Sequence, residues 1–295
     1  MEGMDMRNIE TFAVIGGDLR SAYLAGLLAA DGYKVITSGF DGTDLPPCVT
    51  GCTNPAQAVT LADCVILPLP VTTDGTTVNA PFSRIRIPLD QVLNGLVPDQ
   101  FLVGGKISEV VRKEAECRGL TISDYLQREE LAVMNAVPTA EGAIQLAMEE
   151  LPITIDGSKC LVTGYGRVGR TLSKRLISLG AHVTVAARKF ADLAWAKAAG
   201  CDTLEIDNLA EAGDFDVIFN TVPVLLFGRD ILKEMDKETL LIDLASRPGG
   251  VDFNAAAELQ IKTIWALSLP GRVAPKTAGA IIKKTILNMV KEGAR

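Results

Sequence analysis

A glycine-rich turn between an apolar strand and a helix constrains the fold of this sequence more than any other feature. Residues 159–169 read Lys-Cys-Leu-Val-Thr-Gly-Tyr-Gly-Arg-Val-Gly, and apolar side chains then recur at helical spacing until Gly180. In a Gly-x-Gly-x-x-Gly turn, Gly164 would make the tight turn, Gly166 would let the backbone approach a pyrophosphate, and Gly169 would let the helix pack on the strand. A glycine-rich turn can occur in any parallel sheet, but the flanking strand and helix favour a dinucleotide site.

The strand that follows this helix ends on bases. Ala187 is followed by Arg188 and Lys189, where an NAD site usually has an acid that binds the ribose 2′-OH. Two bases at this position suit a 2′-phosphate, so the sequence predicts NADP as the cofactor and NAD as the less favoured one. The alternative is that both side chains are solvated charges after a strand.

Composition and charge exclude several classes of protein. The chain has 295 residues, 48% hydrophobic and 22% charged, enough for two globular domains. A net charge of −7 argues against a nucleic-acid partner. The sequence has neither a run of apolar residues long enough to span a bilayer nor a signal-peptide pattern, so we expect a cytoplasmic protein without a membrane partner.

The cysteines and the histidine predict neither a metal site nor disulfides. Six cysteines are spread over the chain without a CxxC pair, and the one histidine, His182, opens a predicted strand. We therefore expect His182 to be structural rather than the catalytic base.

Two α/β domains are predicted from the order of strands and helices. Residues 1–135 contain a strand, a glycine turn, a helix and further strands, and residues 136–276 contain the fingerprint and a full βαβ series. A terminal helix at 277–295 is expected to cross back onto the first domain. The predicted fold is thus α/β, with two Rossmann-like doubly wound parallel sheets linked by two helices and a cleft between them.

The residues at the presumed end of the first domain predict two helices, at 124–131 and 142–150. Pro138 would separate them, Thr139 would cap the second, and Glu141 would lie in its first turn, where the helix dipole favours an acid.

Four loops of the second domain are expected to meet over the nicotinamide. They are 164–169, 220–223, 243–250 and 269–277. Arg247, Arg272 and Lys276 on the last two loops suggest an anionic substrate, a carboxylate, because the arginine fork binds carboxylates in a bidentate manner. Each base could also be a solvated surface residue, since such loops use polar residues in any case.

The predicted site residues fall into three groups. The cofactor group comprises Gly164, Gly166, Arg167, Val168, Gly169, Arg188, Lys189, Thr221, Val222, Pro223, Ala245 and Pro270. The substrate group comprises Arg247, Arg272, Ser246 and Thr139. Glu141 and Lys276 are the candidates for proton transfer because both would open helices bordering the cleft, and purely structural roles for both remain equally open.

Three further motifs carry a resemblance to a known family. The stretches at 135–144 (NAVPTAEGAI), 243–253 (DLASRPGGVDF) and 269–279 (LPGRVAPKTAG) resemble the A subunit of dipicolinate synthase from spore-forming bacteria, as do Val14–Asp18 and Ile66–Pro68. The match runs essentially end to end. More generally, the second domain is similar to the NAD-binding domains of alanine dehydrogenase and adenosylhomocysteine hydrolase.

The resemblance implies a role in making dipicolinate, a pyridine dicarboxylate, on a branch of the lysine pathway. It implies NADP-dependent oxidation of dihydrodipicolinate or its hydrated precursor, together with the flavoprotein-like B subunit of the synthase, in the mother cell of a sporulating bacterium. Two alternatives stay open: a dehydratase with a structural nucleotide, and a non-catalytic nucleotide-binding scaffold for the B subunit. Whether the chain forms homo-oligomers is open as well.

Overall fold

Two compact α/β units make up the chain. The structure, a computed structural model, describes residues 9–97, 99–211 and 214–293. The first unit takes the chain up to Ala132 and again from Ala274, and the second unit is Val133–Val273. Each unit contains one six-stranded sheet whose neighbouring strands all run parallel. The prediction of two Rossmann-like doubly wound sheets is confirmed.

The first unit has the strand order β3-β2-β1-β4-β5-β6. Its strands are β1 (Thr11–Ile15), β2 (Lys34–Ser38), β3 (Thr50–Gly51), β4 (Cys64–Ile66), β5 (Phe101–Gly104) and β6 (Ile122–Asp124). Its helices include α1 (Leu19–Ala30), α2 (Pro55–Thr60), α3 (Leu89–Asn94) and α4 (Glu109–Glu116), with a 3₁₀ turn at Tyr125–Gln127. The central strands read as nearly continuous apolar runs because helices cover both faces of the sheet. Sequence reasoning did not identify the two-residue β3, which lies between Gly42 and Pro55 in a stretch rich in turn-forming residues.

One continuous helix, α5 (Glu129–Glu150), replaces the two predicted helices. The prediction of a break at Pro138 is wrong, since the helix runs through this residue. Ala136, Ala140, Ala143 and Ala147 are all buried at helical spacing on both sides of the proline. Tertiary packing of this stripe therefore offsets the hydrogen bond that the proline cannot make.

The second unit has the strand order β12-β11-β10-β7-β8-β9. Its strands are β7 (Lys159–Thr163), β8 (His182–Ala187), β9 (Asp202–Glu205), β10 (Val217–Asn220), β11 (Leu240–Asp243) and β12 (Thr263–Trp265). Its further helices are α6 (Arg167–Ser178), α7 (Phe190–Ala198), α8 (Arg229–Glu234), α9 (Phe253–Glu258) and α10 (Leu269–Val273), with a 3₁₀ segment at Ile206–Glu211. Counted within each unit, both sheets have the 3-2-1-4-5-6 order of dinucleotide-binding domains, which bind ligands beyond the carboxyl ends of the strands where the order reverses.

The last helix, α11 (Pro275–Lys291), returns to the first unit and packs on α1. A Cβ at Gly279 would lie 2.6 Å from the carbonyl oxygen of Arg20, so the two helices meet closely at this glycine. Lys283 Nζ lies 2.6 Å from Asp31 Oδ2 at the other end of α1. The expectation of a loop over 269–277 is wrong, because α10 and the first turn of α11 occupy these residues.

None of the helices in the described parts of the chain is both long enough and apolar enough to cross a bilayer.

Candidate functional site

The turn between β7 and α6 has the geometry that the glycine spacing predicts. Gly164 has φ +84°, and a Cβ there would lie 2.6 Å from Thr221 Oγ1. A Cβ at Gly169 would overlap the carbonyl oxygen of Gly164. These two glycines are required by the backbone and by the packing of α6 on β7.

Gly166 is different, because nothing among the described residues requires it to lack a side chain. It is the N-cap of α6 with φ −81° and ψ −158°, a conformation open to any residue, and apart from its neighbours in the chain no described residue comes within 4 Å of its ideal Cβ position. No side chain of the described residues caps the helix here. The first N–H groups of α6 therefore face an open space, which fits the pyrophosphate of a dinucleotide.

The end of β8 presents two unneutralised bases. Ala187 is buried, whereas Arg188 and Lys189 are exposed. Neither base forms an ion pair within the described ranges. Lys189 is the N-cap of α7 and makes no capping hydrogen bond through its side chain.

A buried polar network, which the sequence analysis did not identify, joins the carboxyl ends of three neighbouring strands. Thr163, Asn220 and Asp243 end β7, β10 and β11, and each has no exposed surface. Thr163 Oγ1 donates to Asn220 Oδ1 at 2.6 Å, and Asn220 Nδ2 donates to Asp243 Oδ1 at 2.7 Å. The visible signal was that three otherwise apolar strands each end on a polar residue.

This network also fixes the two loops that follow β10 and β11. Asn220 Oδ1 accepts from the backbone N–H of Val222 at 3.1 Å. Asp243 accepts from the N–H groups of Ala245 and Gly250 at 3.0 and 2.8 Å. The loop with the predicted cofactor residues Thr221, Val222 and Pro223 is thereby tied to the loop that carries the predicted substrate residues.

Thr221 is itself engaged with β7. Its hydroxyl donates to the carbonyl of Thr163 at 2.7 Å, and its side chain lies against Gly164. Val222 is half-buried and Pro223 is exposed at the same edge. These residues flank the glycine turn, as expected for a loop bordering a dinucleotide.

Arg247 lies on an aromatic platform. Its guanidinium carbon is 5.4 Å from the ring centre of Trp265, and Trp265 Nε1 donates to the carbonyl of Ala245 at 3.2 Å. Ser246 beside it is exposed, and its carbonyl accepts from the N–H of Gly249 in a turn.

The other predicted bases are also exposed. Arg272 lies on the short helix α10, where Pro270 is half-buried. Lys276 lies in the first turn of α11, within the first unit, and lines a cavity of about 570 Å³ with Leu19 and Tyr23 of α1. Arg247 and Arg272 belong to the second unit. Among the described residues, none of these three bases has an ion-pair partner.

Glu141 was predicted to lie in the first turn of a helix. This prediction is wrong, since Glu141 lies in the interior of α5. Its carboxylate is 3.5 Å from Nε of Arg175, in the last turn of α6. The Glu141 carboxylate is thus paired with a base of α6.

Thr139 is likewise an interior helix residue and not a cap. Its hydroxyl donates to the carbonyl of Asn135 at 2.7 Å, so this hydroxyl is not available to donate a hydrogen bond to a substrate. Lys262, immediately before β12, contacts Glu150 at 2.8 Å, which places the end of α5 at the amino ends of the strands. At a rise of about 1.5 Å per residue, Thr139 lies about 16 Å back along α5, towards the ligand-binding edge.

Tyr165 and the buried cysteines are poor candidates for proton transfer or nucleophilic attack. The Tyr165 side chain turns into the core, where burial raises its pKa above the usual value. Burial raises the pKa of the Cys160 thiol to about 11 and that of Cys64 further. Near neutral pH these groups stay protonated.

Comparison with known proteins agrees with this geometry. Residues 11–126 match the family model of the N-terminal domain of the dipicolinate synthase A subunit. The chain is 34% identical over 288 residues to the A subunit of dipicolinate synthase from Bacillus subtilis, covering 95% of each chain. The chain belongs to the family of dipicolinate synthase A subunits.

The structural comparison supports the family over nearly the whole fold. The A subunit of dipicolinate synthase from Bacillus halodurans superposes with a TM-score of 0.88 at 31% identity, covering 95% of this chain and 97% of that one. An L-alanine dehydrogenase, at 13% identity, shares the fold with a TM-score of 0.66, covering 95% of this chain and 90% of that one.

The second unit matches a dehydrogenase domain. Residues 133–264 match the NAD-binding domain of D-isomer specific 2-hydroxyacid dehydrogenases. Together with the open N-terminus of α6, this makes the second unit of this dipicolinate synthase family member a nicotinamide-dinucleotide-binding domain of the oxidoreductase type. The resemblance stated from the sequence motifs is confirmed.

Proposed function

We propose that this protein is an NADP-dependent oxidoreductase that converts dihydrodipicolinate, or its hydrated precursor, to dipicolinate. The observation that carries the proposal is the uncapped N-terminus of α6 at Gly166, within a chain whose similarity to the dipicolinate synthase A subunit covers 95% of its length. The relatives are named as one subunit of a synthase, so we propose that a B subunit completes the enzyme. By the same resemblance, the reaction would take place in the mother cell of a sporulating bacterium.

Three groups of residues would hold the cofactor. The N–H groups that follow Gly166 would bind the pyrophosphate, and Arg188 and Lys189 would bind the 2′-phosphate. Both bases are exposed and unneutralised in the described part of the chain, and Ala187 before them offers no carboxylate for a ribose 2′-OH. This arrangement favours NADP over NAD.

The substrate would be held by arginines of the second unit. Arg247 and Arg272 are both exposed, neither has an ion-pair partner among the described residues, and the planar fork of an arginine suits a carboxylate. A pyridine-type dicarboxylate presents two such groups. The substrate class that we propose is therefore a small cyclic dicarboxylate.

Oxidation to the aromatic ring removes one hydride and one proton from the substrate. When bound, NADP supplies the hydride acceptor. We propose that Lys276 accepts the proton that leaves the substrate. This residue is exposed in the first turn of α11 and has no ion-pair partner among the described residues. Glu141 is not part of this proposal, since its carboxylate is already paired with Arg175.

The test combines binding with product analysis. Calorimetric titration should show tighter binding of NADP than of NAD. The chain and its partner subunit, supplied with NADP and the lysine-pathway intermediate, should form dipicolinate and NADPH in equal amounts. Absence of NADP binding and of dipicolinate formation would reject the proposal.

The same assay distinguishes the proposed oxidoreductase from the two alternative functions, a dehydratase and a non-catalytic scaffold. Conversion of the hydrated precursor to dihydrodipicolinate, with loss of water and without formation of NADPH, would indicate a dehydratase with a structural nucleotide. Unchanged turnover of the complex with Lys276→Ala would indicate a scaffold. We expect Lys276→Ala to lose turnover while assembly is retained, and the matched variant Glu141→Ala to retain both.

A further inference from the structure

The guanidinium of Arg247 is oriented by packing rather than by a salt bridge. Its central carbon lies 5.4 Å from the ring centre of Trp265, within the range of a cation–π contact. No carboxylate among the described residues pairs with it. A guanidinium that lies over an aromatic face keeps N–H donors available for a carboxylate.

Trp265 is held firmly enough to serve as a platform. It is the last residue of β12, half-buried, and its Nε1 donates to the carbonyl of Ala245 at 3.2 Å. Phe253 stacks on the indole with ring centres 5.2 Å apart and an interplanar angle of 23°. Phe253, Trp265 and Arg247 thus form an ordered stack at the carboxyl end of the sheet.

The loop that carries Arg247 has little room to move relative to this platform. Gly249 has φ +87°, and a Cβ there would lie 2.9 Å from Asp243 Oδ2 and 3.2 Å from Trp265 Cζ2. The loop therefore passes between the buried Asp243 carboxylate and the indole. Both of its ends are tied to Asp243 through the N–H groups of Ala245 and Gly250.

We propose that Trp265 is a positioning residue that orients the Arg247 guanidinium to bind a carboxylate of the substrate. This inference rests on the proposed function, in which the substrate is a cyclic dicarboxylate. Preorganisation of the arginine reduces the conformational entropy that is lost when the carboxylate binds. Trp265 acts through Arg247 and does not itself touch the reacting atoms.

The chain contains two tryptophans, and this permits a direct spectroscopic test. Trp195 is 64% exposed on α7, so Trp195→Phe leaves Trp265 as the only indole without disturbing the core. In this variant, titration with pyridine-2,6-dicarboxylate should change the indole emission, because Arg247 lies over the ring. The change should vanish when Arg247→Ala is added.

Two substitutions of Trp265 then separate orientation from general packing. Trp265→Leu removes the aromatic face and should weaken binding of pyridine-2,6-dicarboxylate about tenfold, the order expected when such a contact and the orientation it gives are lost. Trp265→Phe keeps an aromatic face and should restore most of the affinity. The calorimetric affinity for NADP should be unchanged in both, and Trp195→Leu is the matched control.

The outcomes distinguish this inference from the proposed function. If Arg247→Ala loses dicarboxylate binding while Trp265→Leu retains it, the positioning role is wrong and the substrate proposal stands. If Trp265→Leu and Trp265→Phe both lose NADP affinity as well, Trp265 is merely structural and the inference is again wrong. If the unmodified protein does not bind the dicarboxylate, or binds it independently of Arg247, the substrate proposal fails together with the inference.

Discussion

The two units share one strand order but differ at the N-terminus of their first helix. In the first unit, Asp18 caps α1 and its carboxylate accepts from the backbone N–H of Arg20 at 3.0 Å. The Arg20 side chain donates to the same carboxylate at 2.8 Å. In the second unit, the corresponding cap of α6 is Gly166, which offers no side chain at all.

Within the part of the chain that the structure describes, the glycine turn of the first unit is covered and that of the second unit is open. The N–H of Gly17 donates to the carbonyl of Asn79 at 2.8 Å, and a Cβ at Gly16 would lie 2.9 Å from Val78. In the described ranges, no residue other than its chain neighbours comes within 4 Å of the ideal Cβ position of Gly166. Strand order alone therefore does not predict a dinucleotide site, which also requires an unoccupied and uncovered helix N-terminus.

The largest expected effect comes from giving α6 the cap that α1 has. Gly166→Asp should lower NADP affinity by more than about 100-fold, because a carboxylate would occupy the anion position and repel the pyrophosphate. The backbone angles at Gly166 accept an aspartate without strain. Calorimetric titration of NADP measures the effect.

Gly228→Asp is the matched control for this variant. Gly228 is also an N-cap without a side-chain hydrogen bond and with nothing within 4 Å of its Cβ position, on α8 of the same unit. It should bind NADP like the unmodified protein. Equal affinities of all three proteins would contradict the assignment of the pyrophosphate to α6.

The next effect concerns the ends of the central strands: β7 and β10 end on the polar Thr163 and Asn220, whereas the equivalent β1 and β4 of the first unit end on Ile15 and Ile66. Asp243→Asn should lower the free energy of unfolding by about 2 kcal/mol, because an amide cannot accept from the N–H groups of both Ala245 and Gly250. Chemical denaturation measures the change. Asp230→Asn, whose side chain is 100% exposed, should change it by less than about 0.5 kcal/mol. Similar values for the two variants would show that the network is not stabilising.

A smaller effect is expected at the end of β8. Arg188→Ala should weaken NADP binding about tenfold and leave NAD binding unchanged, since one charge-assisted contact to the 2′-phosphate is lost. Lys197→Ala, an exposed base in the last turn of α7, is the control and should bind both cofactors normally. Equal losses for NADP and NAD would assign Arg188 to another part of the cofactor.

The smallest effect is expected in the first unit. Asp18→Ala should lower the free energy of unfolding by about 1 kcal/mol through loss of the cap. NADP affinity should not change, because the turn remains covered by Asn79. Ser108→Ala removes the cap of α4 and should have a similar effect on stability. A gain of dinucleotide affinity in Asp18→Ala would show that the cap alone had blocked the first unit.

Local sequence signals were sufficient for the glycine turn and for the strands of both sheets other than the two-residue β3. Alternating βα patterns and the spacing of Gly164, Gly166 and Gly169 depend on nearby residues, and the strands follow them closely. The continuous helix α5 could not be predicted in this way. Its stability at Pro138 depends on a buried alanine stripe that contacts residues distant in sequence.

At the candidate site, too, sequence reasoning found what depends on neighbouring residues and missed what depends on residues distant in sequence. The bases after β8 follow from local order, whereas the Thr163–Asn220–Asp243 network and the stack under Arg247 join residues from separate strands. Glu141 was misplaced because its selection assumed a helix start at Pro138. Its actual partner, Arg175, became visible only once α5 and α6 were placed side by side.

Hydrogen exchange of the full chain with and without NADP tests the central claim most directly. If the open N-terminus of α6 holds the cofactor, NADP should protect peptides covering residues 164–170 and leave those covering residues 16–21 unchanged. Protection at residues 16–21, or none at residues 164–170, would contradict the assignment of the dinucleotide to the second unit.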